Sequence, residues 1–442
     1  MRERLSPRQL PRWVEPSRVF RMLEAGSSDV FWLDAGEAAT EGWSFVGTGE
    51  PSDLPDDVRL DVDAADDLLP PFLGGWVGWR DYESGAAVAG APVAASGEGG
   101  GASWLRVTRA VAFDHAAGRA WMMSEDGDAE TWAAVIAAAS DPASASDSAS
   151  AEYSDGDNAI AIARHDPDDY VALIERCREL IRAGIAYQLC LTTRFTVPGS
   201  HDAVSVYERL RNATPAHHGG FVRIRGRSLL SASPEQFLHA RGGVIRSRPI
   251  KGTRPRSADP QTDAALAAEL AVNVKERAEN VMIVDLIRND LSRVCVPGSI
   301  RVDGLWIVES YPAVHQLVST VSGTAAEGTT VGRLLEATFP AGSMTGAPKL
   351  SAMTRLHDLE GAPRGVYAGC FGYVGIDGAI DLAMVIRSIV IDADQAVVGA
   401  GGGITWGSVA AAEVAEVATK ARAPLAALGA EMPALWRSDI LN

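Results

Sequence analysis

An α+β fold is what this sequence predicts, on three observations. Strand-like runs follow one another through residues 186–250 and 364–392, without the strict strand–helix alternation of a parallel sheet. Long stretches of helical periodicity stand beside those runs rather than between each pair. Hydrophobic residues make up 47% of the 442-residue chain, enough for a large core and too many for a disordered chain.

The elements follow in chain order. Residues 84–103 (SGAAVAGAPVAASGEGGGAS) and 138–158 (AASDPASASDSASAEYSDGDN) are mostly small or acidic and read as loops or linkers. The second divides an N-terminal region, 1–150, from a C-terminal one, 160–430. Asp166-Pro167 starts a helix, because aspartate caps and proline fits the first turn. Tyr170, Val171, Ile174, Cys177, Leu180 and Ile181 recur at helical spacing, and Gly184 ends the helix. Residues 186–197 (AYQLCLTTRFTV) read as a strand, and 221–240 and 243–250 as further strands with turns between. One long helix is expected over 262–292, strands over 364–376 and 380–392, and a last helix over 408–428.

Lysine and arginine number 40 against 57 aspartates and glutamates, a formal net charge of −17. The excess is confined to residues 1–160, with 11 basic and 28 acidic side chains; residues 161–442 hold 29 of each. This balance argues against a nucleic-acid binder, which would normally show a basic patch or stripe, and against docking on anionic lipid, which needs polybasic segments. No run of 18 apolar residues could span a bilayer, and residues 1–20 carry five arginines without the apolar core of a secretory signal. Cys177, Cys190, Cys295 and Cys370 form no CxxC pair, so a reducing, cytoplasmic setting is expected.

Several features could carry chemistry. Glu276 and Glu279, and again Glu413 and Glu416, stand three apart, each pair on one helix face, with Lys420 joining the second pair. Four glutamates from two helices could hold a hard cation such as Mg²⁺, directly or through water; they could equally be two solvated faces. Residues 399–404 (GAGGGI) precede the second helix, where convergent backbone N–H groups could hold an anion or the glycines could only make a turn. Residues 342–349 (GSMTGAPK) lack the GK[ST] ending of a phosphate loop, which argues against an NTPase. Residues 221–260 hold nine basic side chains against Glu235 and Asp259. There, in PIKGTRPR (249–256), Lys251 would become a nucleophile if an apolar or cationic pocket lowered its pKa, and is otherwise a surface lysine. Cys370 lacks the companions of a cysteine nucleophile and is read as packing.

Taken in order, these residues resemble the chorismate-utilising enzymes, the family of anthranilate synthase component I. The segments that carry the resemblance begin with Tyr187-Gln188 with Thr193-Arg194-Phe195, Ser233-Pro234-Glu235, and PIKGTRPR at 249–256. They continue with KERAENVMIVDLIRNDLSRV at 275–294, FPAGSMTGAPK at 339–349 and GVYAGCFGYVG at 365–375. Ile386-Arg387-Ser388 and GAGGGI with ExxExxxK across 399–420 complete them. Together they cover about 165–425; the N-terminal match is thinner, GWSFVG at 42–47 and GGWVGWRDYE at 74–83.

The resemblance implies two large antiparallel β-sheets facing each other, flanked by helices, with the site in the cleft between them, and chorismate and Mg²⁺ as ligands. It puts Glu279 and Glu416 on the metal, with Glu276 and Glu413 assisting through water. It puts the ring carboxylate on the amides of Gly401, Gly402 and Gly403 and on Lys420, and the enolpyruvyl carboxylate on Arg387 and Tyr367. Gln188, His315 and Ser343 come near the ring. Relatives that add water carry a lysine where Gln188 stands, so ammonia is the implied nucleophile. Lys251, where anthranilate synthases usually read PIAGT, implies the branch that forms 4-amino-4-deoxychorismate on the way to 4-aminobenzoate and folate. There Glu235 is the general acid and Lys251 a covalent nucleophile. No glutaminase nucleophile motif is present, so a separate glutaminase subunit is implied as the ammonia source.

Two alternatives stay open: anthranilate synthase component I and a 2-amino-2-deoxyisochorismate synthase. A catalytically dead scaffold would have lost members of the set Glu235, Lys251, Glu279, Arg387 and Glu416, and all five are present. The anthranilate branch carries a Leu-Glu-Ser motif for tryptophan feedback; residues 31–35 read FWLDA, a departure that argues against that feedback.

Overall fold

A computed structural model describes residues 4–37, 39–60, 68–94, 101–125, 129–139 and 159–437. Every strand pairing among them is antiparallel except the two-residue one between Ala159–Ile160 and Ala430–Glu431. One half of the sheet runs Gln188–Pro198, Gln395–Ile404, Ser388–Ile391, Arg227–Ser233, His218–Ile224, Val30–Asp34 and Trp43–Ser52. The other runs Gly75–Arg80, Cys370–Gly375, Ile380–Met384, Gln236–Arg241, Val244–Ser247 and Val314–Thr324. Val314–Thr324 also pairs with Arg301–Ser310 and Ile250–Pro255. The long strand Ala102–Asp114 pairs with both Trp43–Ser52 and Gly75–Arg80, so the two expected sheets are halves of one.

Strands from the first 150 residues therefore stand in the middle of this order. Val30–Asp34 pairs with His218–Ile224, and Gly75–Arg80 with Cys370–Gly375. Of the linker expected at 138–158, residues 140–158 lie outside the described residues. Of the one expected at 84–103, residues 95–100 do; its first residues are helical within Tyr82–Val88, capped by the Asp81 carboxylate, and residues 102–103 open the long strand.

The helix Pro167–Arg182 starts as expected, with the Asp166 carboxylate accepting from the Asp169 N–H at 2.8 Å. The helix expected over 262–292 is two, Pro260–Val272 and Val274–Ser292. Asn273 is extended (φ −63°, ψ 114°), and its side chain accepts from the Glu276 N–H at 3.1 Å. A carboxamide that caps a new helix replaces the backbone bond that would have continued the old one. The helix expected over 408–428 is Ala410–Ala427, and a short one, Ala434–Arg437, follows it. Around Phe20, Trp32, Tyr207 and Phe221, buried rings with centroids 4.9–5.8 Å apart anchor the larger core under the first half-sheet. Among the described residues no helix is long and apolar enough to cross a membrane.

Candidate active site

A cavity of about 600 Å³ lies between the two half-sheets. The strand Gln395–Ile404 forms one wall and Ile250–Pro255 the other, and the helices Val274–Ser292 and Ala410–Ala427 close it. Glycines set how near these walls come. A Cβ on Gly403 would stand 2.4 Å from Gln188 Nε2, and one on Gly402 would stand 3.2 Å from Glu413 Oε2 and 3.7 Å from Glu416 Oε1. The segment 399–404 is thus a strand under the acidic helix, not a loop before it. On the opposite wall Gly252 (φ +82°) would put a Cβ 3.0 Å from Glu276 Cδ, so the residue beside Lys251 admits the other acidic helix.

Both ExxE pairs face this cavity. Glu279 and Glu413 are buried, and Glu416 is half-open. Lysines stand among them. Lys420 Nζ donates to Glu416 at 2.6 Å and to the Gly401 carbonyl at 2.7 Å. Lys275 Nζ lies 3.6 Å from Glu413 and 3.8 Å from Glu279. Arg254 lies 3.6 Å from Glu276. Burial pushes the Glu279 carboxyl up, against the pull of Lys251 and Lys275. Burial works the same way on Glu416, but Lys420, with Lys251 and Lys275, outweighs it and holds that carboxyl down. Among the described residues no three carboxylate, imidazole or thiolate groups converge tightly enough to enclose an ion alone. The donor set still suits Mg²⁺. It is all hard oxygen, Glu279 Oε1 is buried without a hydrogen bond, and Mg²⁺ keeps water and substrate oxygens in its shell.

Glu235 and Lys251 line the same cavity. Burial raises the Glu235 pKa, with Lys251 and a hydrogen bond from Ser343 pulling back. Lys251 is neither a surface lysine nor in an apolar or cationic pocket. Burial pulls its pKa down, yet Glu279, Cys190, Glu235 and Glu416 together raise it, because the pocket is acidic. Arg387 and Tyr367 also line the cavity. Burial lowers the Arg387 pKa against the field of Tyr367 and Glu416, and Arg387 is held at φ +52°, a left-handed backbone that few side chains adopt. Tyr367 packs its ring against Gly399, where a Cβ would stand 2.1 Å from Cγ.

Gln188 is fully buried beside Gly403, and neither its Nε2 nor its Oε1 has a partner. His315 does not reach the cavity. On the strand Val314–Thr324 it is Val314 and Gln316 that face inward, and alternation turns His315 outward. There its Nε2 meets Asp263 at 3.0 Å and its Nδ1 Ser310 at 2.8 Å. Gln316 could have been found by the same alternation. Lys275, adjoining the first ExxE, was also missed. Cys370 is buried in a strand, with its thiol pushed up to about 12 by burial. Lys349 is committed to Asp290 at 2.6 Å, away from any phosphate-loop role.

The sequence profile described as chorismate binding enzyme matches residues 16–426. The chain is 42% identical over 369 residues to an aminodeoxychorismate synthase of Streptomyces pristinaespiralis, covering 81% of this chain and 51% of that one. It is 38% identical over 376 residues to an anthranilate synthase component 1 of Streptomyces coelicolor, covering 81% and 74%. It spans about half the length of the Streptomyces aminodeoxychorismate synthases it matches. The anthranilate synthase component I of Streptococcus pneumoniae superposes with a TM-score of 0.72 at 26% identity, over 96% of this chain and 93% of that one. The menaquinone-specific isochorismate synthase of Escherichia coli, at 18% identity and a TM-score of 0.68, shares the fold.

Proposed function

The chain belongs to the chorismate-binding enzymes, and from that premise we propose that it aminates chorismate at C4, as the synthase component of an aminodeoxychorismate synthase. The observation that supports this most is the sharing of one cavity by Lys251 and Glu235, a potential nucleophile and a potential acid, under Arg387 and Lys420. In this reading the two cations and the 401–403 strand hold the substrate carboxylates. Mg²⁺, held by Glu279 and Glu416 with Glu276 and Glu413 behind them, would supply the charge that offsets the carboxylates and orients the ring.

Glu235 protonates the C4 hydroxyl, which leaves as water. Lys251, whose ammonium first gives up a proton to water, forms a bond to C2 as the free amine while the two ring double bonds shift toward C4. Ammonia then adds at C4, the two double bonds shift back, and the C2–N bond breaks to release Lys251 as the amine, which recovers its proton from water. The ammonia adduct returns its surplus proton to Glu235, so the sum is chorismate plus ammonia to aminodeoxychorismate plus water. The buried, unpartnered amide of Gln188 cannot deprotonate water, which supports ammonia as the nucleophile. A glutaminase partner is the natural ammonia source, and 4-aminobenzoate the natural destination.

One incubation with chorismate, Mg²⁺ and ammonium, read by mass and absorbance, tests the reading. The expected product is 4-amino-4-deoxychorismate. Anthranilate with pyruvate as the sole product overturns the branch. Lys251→Ala is expected to lose turnover and the covalent adduct; wild-type turnover in that variant removes the lysine from the mechanism.

A further inference from the structure

We propose that Lys275 holds the divalent cation's place in the free protein and must withdraw before the metal can bind. The inference rests on the reading above that the ExxE carboxylates take Mg²⁺, and adds a residue that regulates it. Lys275 Nζ lies within 4 Å of both acidic helices, 3.6 Å from Glu413 on one and 3.8 Å from Glu279 on the other. Neither contact is of hydrogen-bond length, so the ammonium neutralises the carboxylates without being fastened to them. Glu279 Oε1 accordingly stays buried and without a hydrogen bond.

The other cavity lysines are differently placed. Lys420 is tied at 2.6 Å and 2.7 Å to Glu416 and the Gly401 carbonyl, and Lys251 stands on the opposite wall. Lys275 alone of the three has a side chain half-open to solvent (52%), with room to swing out. Its position on the chain is also telling. It lies in the first turn of Val274–Ser292, just after the Asn273 cap, where the helix dipole disfavours a cation. Glu279 one turn on and Glu413 on the other helix compensate for that placement, and an arriving Mg²⁺ removes the compensation. Metal binding then costs the release of the ammonium, and a substrate carboxylate in the metal's shell helps to meet that cost.

Mn²⁺ titration of the full chain, followed by the electron paramagnetic resonance of the free ion, tests this with and without chorismate. Without chorismate, Lys275→Gln should bind Mn²⁺ about tenfold or more tightly than wild type, because a charge within 4 Å of two ligands has gone. Lys275→Arg, which keeps the charge, should stay within about threefold of wild type on the same argument. Chorismate should tighten Mn²⁺ binding more in wild type than in Lys275→Gln. Equal or weaker binding by Lys275→Gln overturns the inference while leaving the metal site standing. No binding by any of the three, even with chorismate, removes the metal site and the inference with it.

Discussion

Glu235 is the residue whose surroundings most directly forecast a measurement. Burial raises its pKa, so the acid form persists to higher pH than an exposed carboxyl would allow. A general acid works protonated, so kcat at constant free ammonia should fall on the alkaline side as Glu235 ionises. Glu235→Gln should lose that limb and lower kcat about 10²–10⁴-fold. An alkaline limb that survives in the variant assigns the proton elsewhere. At this scale the sequence was half legible. The family resemblance pointed to Glu235 and Lys251, which line one cavity, but the sign of the Lys251 shift depends on Glu279 and Glu416, which only the fold brings near. His315 was misplaced for a simpler reason, since one step along a strand reverses a side chain and Gln316 holds the inward position.

Among elements, the glycine strand separates packing from chemistry in two neighbouring positions. A Cβ on Gly401 would meet the Leu191 carbonyl at 2.4 Å and Thr192 Cα at 3.0 Å, both backbone. Gly401→Ala should therefore destabilise the fold by about 1–3 kcal/mol in thermal or denaturant unfolding. A Cβ on Gly402 meets only carboxylate ends of Glu413 and Glu416, which can yield. Gly402→Ala should unfold like wild type yet bind Mn²⁺ more weakly; the reverse pattern would show that the strand does not set the carboxylates. Helix Pro167–Arg182 was legible because Asp-Pro and Gly184 mark its ends. The break at Asn273 was not, because no proline or glycine marks it and a capping asparagine looks like any polar helix residue.

On the scale of the whole molecule, the α+β class was legible and the sheet order was not, because pairings that join residue 33 to 220 leave no local trace. One buried knot ties the regions together. The Arg364 guanidinium pairs with Glu360 at 2.7 Å, donates to the Met344 and Cys190 carbonyls, and lies over the Tyr82 ring. Glu83 accepts from the Arg364 and Gly365 N–H groups. Arg364→Met leaves the buried Glu360 carboxylate without its counter-ion, held only by the Thr192 N–H and hydroxyl, and should cost about 3–5 kcal/mol in denaturant unfolding. Because Val30–Asp34 and Gly75–Arg80 are inner strands, residues 160–442 expressed alone should not unfold cooperatively, as calorimetry would show.

The same strand order sets a timetable for synthesis. Gly75–Arg80 leaves the ribosome early, but its partner is complete only when residue 375 has been added, on the order of tens of seconds later. Through that interval the N-terminal third waits with open strand edges, the condition in which chains stick to one another. Its 28 acidic against 11 basic side chains make waiting copies repel. The N-terminal acidity thus works against association between unfinished chains until the last strands arrive.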